Sequence, residues 1–325
     1  MDTLLNALAE MIGGPSNRLW PLYLPGMILL AYFVYRKERR QGGFIRWLFP
    51  KEIYLHRSHL VDIQLFLVGR LLSLLGLFQK LAITTLVTVS TINLLGGTLA
   101  TEMHLGPWML GFLLLLASDF ATYWIHRIHH ENPTLWPFHA VHHSAEVMTP
   151  VTAYRKHPIY DIIGGMIRGV ILGLAQGILL SFFVSQISIA LVLGLNVFYV
   201  VFNAVTGNLR HTHVWLSFGP VVEHILISPA QHQVHHSIEV KHYNKNYGEV
   251  LAIWDWMFGT LYVPQTREEL RYGLGDSRGE RIAQPHDNLA QALIGPVKDS
   301  LRSLRGGKSP QAEADAEAAR IGPAE

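Results

Sequence analysis

Residues 124–144 read WIHRIHHENPTLWPFHAVHHS, and residues 228–237 read SPAQHQVHHS. The first stretch carries His126, His129, His130, His139, His142 and His143; the second carries His232, His235 and His236. On an α-helix, positions three or four apart share a face, while adjacent positions diverge by roughly 100°. His139 therefore pairs with either His142 or His143, and those two point apart. The same holds for His232 with His235 and His236. A short helix of this kind offers imidazoles to two metal ions at once. His126 and His130 form a simple i,i+4 pair, the helical spacing of metal-binding histidines. Neutral imidazole suits iron, zinc, copper and nickel alike, so ligand type does not name the metal. One pair of histidines is more often a solvated patch. Two HxxHH boxes and an HxxxH in one chain predict instead that the two clusters close on a pair of metal ions.

The surrounding sequence is apolar in blocks. Of 325 residues, 50% are hydrophobic and 15% charged, with a mean hydropathy of +0.23. Segments 19–35, 81–101 and 169–209 carry no charge, and 104–118 runs uncharged into a helix holding Asp119. A bilayer span needs about 20 residues, and 169–209 is long enough for a hairpin of two. The expected fold class is all-α, a polytopic membrane bundle of about four to five spans bearing a cytoplasmic His-rich cap. Orientation follows from Arg36, Lys37, Arg39 and Arg40, which place the end of the first span in the cytoplasm. Counting spans from there puts every histidine cluster on the cytoplasmic face. Asp2 and the lack of a basic amino-terminal stretch argue against a cleaved signal peptide.

Composition excludes other chemistries. With no cysteine, disulfides, thiolate metal sites and cysteine nucleophiles are all absent. The net charge of +2, without a basic stripe interleaved with aromatics, gives no sign of nucleic-acid binding. A zinc hydrolase would need an open metal position and a general base, yet no HExxH is present and the histidines exceed what one zinc uses. A metal or proton transporter would carry ionisable groups at midplane along a path; apart from Asp119 the spans are nearly bare.

Three domains are expected: 1–59, a first span and cytoplasmic linker; 60–272, the catalytic unit in the membrane; 273–325, a polar tail, partly disordered. In the linker, His56 and His59 read as interfacial residues. Segment 60–80 reads as an interfacial or re-entrant helix, interrupted by Asp62, Arg70 and Lys80. Asp119, His126 and His130 share one helical stripe at i, i+7 and i+11. An acid inside a span is costly unless partnered, so Asp119 is expected to fix the tautomer of a ligating histidine, a pairing with Arg127 being the alternative. Asn132-Pro133 and Ser228-Pro229 read as helix starts, although Pro137 lets the first slip towards Trp136. His129 points away from His126 and His130 and is left out of the site. His211 is a further ligand candidate, and His157 and His213 are possible additional ones. Gln176, Gln186 and Asn196 read as interhelical hydrogen-bonding residues. Asn246-Tyr247-Gly248 and 254–260 read as turn and packing residues around the site, and 288–304 as an amphipathic helix.

At these residues the chain resembles the fatty acid hydroxylase/sterol desaturase superfamily of integral membrane di-iron oxygenases. The likeness rests on Asp119 and Tyr123-Trp124 with HRIHH, on LWPFHAVHHS, on Arg155-Lys156-His157-Pro158, on His211, on SPAQHQVHHS, and on NYG and WDWMFGT, over roughly 58–263. The resemblance implies that His126, His130, His139, His142, His143, His211, His232, His235 and His236 bind two Fe2+ ions. It departs from the family at His213, where related sequences often carry Asn. The implied activity is O2-dependent hydroxylation of a membrane lipid, with desaturation as the nearest variant. O2 would be the co-substrate. Electrons would come from a separate donor, a ferredoxin, a cytochrome b5-like protein or a reductase.

Overall fold

The computed structural model describes residues 19–75, 80–96, 105–183, 198, 201–308 and 313–314. The expectations for 1–18, Gln186, Asn196 and most of 309–325 lie outside these residues. The elements in chain order are α1 (Leu24–Lys37), α2 (Phe44–Leu48), α3 (Lys51–Tyr54), α4 (Arg57–Leu74), α5 (Lys80–Leu94), α6 (Pro107–Glu131), α7 (Trp136–His143), α8 (Pro158–Phe183), α9 (Pro229–His235), α10 (Ile253–Met257) and α11 (Leu289–Leu304). Among the described residues there is no strand, only isolated bridges such as Leu226 to Leu251.

Helix α6 starts at Pro107, where the missing N–H costs nothing, and runs 25 residues; α8 runs 26. At 1.5 Å per residue each exceeds the roughly 30 Å of a hydrocarbon core. These two are the described helices long and apolar enough to cross a membrane. Helix α1, with 14 residues, falls short by itself. The uncharged run 169–209 predicts a span beginning at Gly169, but α8 begins at Pro158 and includes two charges, Asp161 in its first turn and Arg168. Arg168 is tolerated because its Nη2 donates to Thr122 Oγ1 of α6 at 3.0 Å. Helix α8 turns Ile162, Met166, Val170, Leu174 and Ile178 outward at intervals of four, the stripe expected of a lipid-facing side.

Helices α5 and α8 pack closely. Gly169, Gly173 and Gly177 lie against Ile83, Thr84, Val87 and Thr91; a Cβ on Gly173 would sit 2.6 Å from Val87 Cβ, and one on Gly177 2.5 Å from Thr91 Cβ. Small residues every fourth position let the backbones meet. Thr88 Oγ1 donates within α5 to Thr84 O at 2.8 Å and lies 3.2 Å from Gln176 Oε1 across the interface, the interhelical role expected of Gln176.

Helix α4 is one helix with two faces. Val61, Asp62 and Leu65 are buried, while Leu60, Leu67 and Leu71 are exposed. His56 caps it, its Nδ1 accepting from Ser58 N at 3.2 Å. His59, read from sequence as interfacial, is instead buried and meets Thr149 Oγ1 at 3.0 Å. Val61 and Leu65 pack on Val141 of α7 and Ala292 of α11. At the middle of this packing lies Arg155, fully buried and paired with buried Asp62 at 2.9 Å. Its remaining donors reach Val141 O at 2.7 Å, Ser144 Oγ at 2.9 Å and His286 O at 3.2 Å. One guanidinium thus ties α4, α7 and the segment leading to α11 together, with the geometry a buried charge requires.

Candidate metal centre

Helix α9 is built as its sequence predicts. Ser228 Oγ accepts from Gln231 N at 3.1 Å, and Gln231 Oε1 accepts from Ser228 N at 3.0 Å; this is a reciprocal capping box with Pro229 at the first position. Helix α7 does start late, at Trp136, because Asn132 Oδ1 takes Thr134 N at 2.9 Å in a turn of its own. Both short helices point their histidines inward, and the carboxyl end of α6 completes the enclosure.

The nine histidines fall into two groups whose ring nitrogens lie within 4.8 Å of one another. The first group is His126, His130, His139, His143 and His235; the second is His142, His211, His232 and His236. Every i,i+4 pair stays together: 126 with 130, 139 with 143, 232 with 236. The i+3 member of each box crosses over, His142 joining α9 and His235 joining α6 and α7. Within the groups Nε2 faces Nε2, at 3.2 Å for His139 and His143, 3.1 Å for His143 and His235, and 3.0 Å for His211 and His232. The groups adjoin: the rings of His143 and His236 stack at 4.4 Å.

Tautomers can be assigned from the outer partners. His126 Nδ1 lies 2.8 Å from Tyr247 O and His235 Nδ1 2.7 Å from Lys245 O. A carbonyl can only accept, so both Nδ1 atoms donate, and both Nε2 atoms present lone pairs to the interior. His130 Nε2 and both ring nitrogens of His236 are buried with no hydrogen-bond partner. Converging lone pairs and orphaned buried nitrogens are unfavourable in an empty polar nest, and they are what a cation would satisfy. Burial, then the neighbouring imidazoles, holds His139, His142, His143, His232 and His236 well below the ordinary imidazole range. Burial also pushes His235 down to about 4. All are neutral at physiological pH, as ligation requires.

Asp119 behaves differently from the sequence expectation. Its carboxylate accepts from Val250 N and Leu251 N, each at 3.0 Å, and from Trp254 Nε1 at 3.0 Å, rather than from His126. The acid is partnered by the buried peptide N–H groups of a neighbouring loop, and Arg127 pairs with Glu131 instead, at 3.0 Å. Asp119 therefore positions a loop, and that loop orients His126. Asp255 does the same from the other side, taking Tyr247 N and Gly248 N at 2.8 Å. Asn246, at φ 56°, bonds Gln231 O at 3.1 Å and Tyr262 O at 2.9 Å. The carbonyls of Lys245 and Tyr247 were invisible to sequence reasoning, since any residue supplies a carbonyl. The signal was indirect: an Asn-Tyr-Gly turn and a buried acid eight residues beyond Tyr247.

The two additional candidates stand apart. His157 has both ring nitrogens engaged, Nε2 with Leu293 O at 2.9 Å and Nδ1 with Ile159 N at 3.2 Å, leaving no lone pair for a metal. His213 Nε2 meets Trp47 O at 2.9 Å and its ring packs on Trp47. His129 meets Ile125 O at 2.7 Å and belongs to neither group. A cavity of about 380 Å³ reaches His130, His143, His235 and His236 past Trp136, Tyr243 and Asn244.

The sequence that builds this nest has known relatives. Residues 110–260 match the model of the fatty acid hydroxylase family, and the chain is similar to several lipid-modifying enzymes. Ornithine lipid hydroxylase OlsE of Rhizobium tropici is 25% identical over 90% of each chain. Alkylglycerol monooxygenase of Homo sapiens is 32% identical over 52% of this chain and 33% of its own. A putative Delta(7)-sterol-C5(6)-desaturase of Arabidopsis thaliana is 26% identical over 50% of this chain and 53% of its own. The chain thus spans most of the first relative but about a third of the second and half of the third. No solved structure matches. The chain is an enzyme of the oxidoreductase class, and its two histidine groups fit a metal site.

Proposed function

We propose that this enzyme hydroxylates a membrane lipid with O2, using two iron ions held by His126, His130, His139, His143 and His235 on one side and His142, His211, His232 and His236 on the other. The observation that carries the reading is the division of nine buried imidazoles into two adjoining groups with converging nitrogens. The lipid class follows relatives named for ornithine lipid, alkylglycerol and a sterol.

Bound there, paired iron would supply the redox chemistry that side chains lack, the reduction of O2 and the oxidation of an unactivated C–H bond. The chain's own residues do the rest. Burial keeps the imidazoles neutral and ready to ligate. Tyr247 and Lys245 carbonyls fix which nitrogen of His126 and His235 faces inward, while Asp119 and Asp255 hold the loop that carries those carbonyls. Trp136 and Tyr247, packed against His130 with ring centroids at 5.0 and 5.1 Å, limit water at the site. Electrons would come from a separate donor, a ferredoxin, a cytochrome b5-like protein or a reductase.

Residues 60–272 are the catalytic unit in this reading, between the 1–59 and 273–325 segments. Four to five spans hold it in the membrane with the nest on the cytoplasmic face, as the basic cluster after the first apolar segment favours. Desaturation uses the same centre and differs in losing a second hydrogen instead of gaining oxygen. Metal analysis with O2 uptake tests the proposal: about two irons per chain with consumption of O2 is expected. One tightly held zinc without O2 uptake would replace it with a hydrolase, and ion flux in proteoliposomes with a transporter. Lipid extracts from cells with and without the gene should differ by one oxygen for hydroxylation or by two hydrogens for desaturation.

A further inference from the structure

The region 219–226 and helix α10 form one small lobe with inverted polarity. Val221 is 78% exposed, Ile225 51%, Trp256 62% and Met257 67%, whereas Glu223 and Asp255, the acids between them, are 0% exposed. Glu223 Oε1 accepts from Phe218 N at 3.1 Å and Ser228 Oγ at 2.6 Å. The last ionisable group, His224, is turned onto its own backbone, Nδ1 to Pro220 O at 2.6 Å, with its ring on Trp256. The backbone is closed on itself as well: Ile225 N and Leu226 N donate to Val222 O at 2.9 and 2.8 Å, Ala252 N to Ile225 O at 2.9 Å, and Trp256 N to Ala252 O at 3.0 Å. Soluble surfaces rarely gather apolar tips in this way, and satisfied backbone with inward acids is what a hydrocarbon environment demands.

Its position says which environment that is. Trp254 and Phe258 pack on Phe120 and Trp124 of α6, with ring centroids 5.2 and 5.1 Å apart. Asp119, seven residues before His126, holds α10 through Trp254, so the lobe lies roughly 10 Å farther along α6 than the first histidine. From there the outward face of α6 continues through exposed Phe112, Met109 and Trp108. We propose that this lobe is a membrane-inserted knuckle, with Val221, Ile225, Trp256 and Met257 in contact with lipid beside α6. The proposal rests on α6 crossing the bilayer, and it makes the cap a partly immersed body instead of one standing over the membrane surface.

The chain contains no cysteine, so one introduced thiol is a unique label site. Met257→Cys, Phe112→Cys and Glu280→Cys, each carrying a nitroxide, would be reconstituted in phosphatidylcholine vesicles and relaxed by O2 or by a charged nickel chelate. Glu280 is a solvated control, 67% exposed, and Trp256→Cys repeats the test at a second tip. Hydrocarbon excludes the chelate, so the O2-to-nickel ratio at 257 should match that at 112 and exceed that at 280 roughly tenfold. A ratio at 257 equal to that at 280 puts the lobe in water and overturns insertion. Shielding of 257 from both reagents, with 112 open to O2, means a second protein copy covers it, and overturns insertion too. If 112 itself behaves like 280, the span fails first and the knuckle with it.

Discussion

At the scale of single residues, the site is decided by which way each imidazole faces. The nest predicts that His142→Ala or His235→Ala abolishes turnover and lowers bound metal, because each is the crossing member of its box and serves the group built mainly on other helices. His157→Ala and His213→Ala should retain full metal content by elemental analysis, since His157 has both ring nitrogens engaged by backbone and His213 is held on Trp47, outside both groups. The HxxHH boxes were readable because a 3.6-residue period dictates who shares a face, and the structure places all nine expected histidines together. The division among groups was not readable, because it depends on how α7 and α9 face each other across the chain. Asp119 shows the same limit: spacing aligned it with His126, but the peptide N–H groups that claim it come from residues 250 and 251. His286 gives a pH prediction. Burial, then the Arg155 charge, pushes it down to about 3, below the ordinary 6.5 or so of an unfolded chain. Between those values the unfolded state binds one more proton, so stability falls as pH drops through that window, by about 2 kcal/mol at pH 5. Unfolding of His286→Gln should be correspondingly less acid-sensitive than wild type.

At the scale of elements, two contacts hold the frame, and they differ in kind. The Arg155–Asp62 pair is buried and fully hydrogen-bonded. Arg155→Met should cost about 3–5 kcal/mol because it strands a carboxylate, and adding Asp62→Leu should recover much of that loss; chemical denaturation of both variants measures it. Sequence reading took Asp62 as an interruption of an apolar helix. It could not find the partner, because residues 62 and 155 meet only after α4, α7 and α11 pack. The α5–α8 contact is apolar and close. Gly173→Leu should destabilise by about 1–3 kcal/mol or more through overpacking, read as a lowered Tm, whereas an outward substitution such as Met166→Leu should be nearly silent. Sequence reading took Gln176 as an interhelical hydrogen-bonding residue, but did not show that α5 was the partner or that α8 reaches back to Pro158.

At the scale of the whole molecule, the all-helical architecture and the meeting of both histidine clusters were legible from sequence, because apolar block length and helical periodicity are local properties. The loop at 245–251 was not, since its use of carbonyls and N–H groups leaves no trace in side-chain identity. Metal and fold should be coupled throughout: stripping the protein with a strong chelator is expected to lower Tm, and restoring Fe2+ to raise it, by mass action. Reporter fusions after Ser144 or Ser237 should be active only in the cytoplasm if the orientation set by Arg36, Lys37, Arg39 and Arg40 holds. The glycine contact between α5 and α8 has one more consequence. Two backbones that would collide with a single added methyl leave no slot for a hydrocarbon tail to slip between them. That flank is a sealed wall, and a lipid must approach the histidines by a different door.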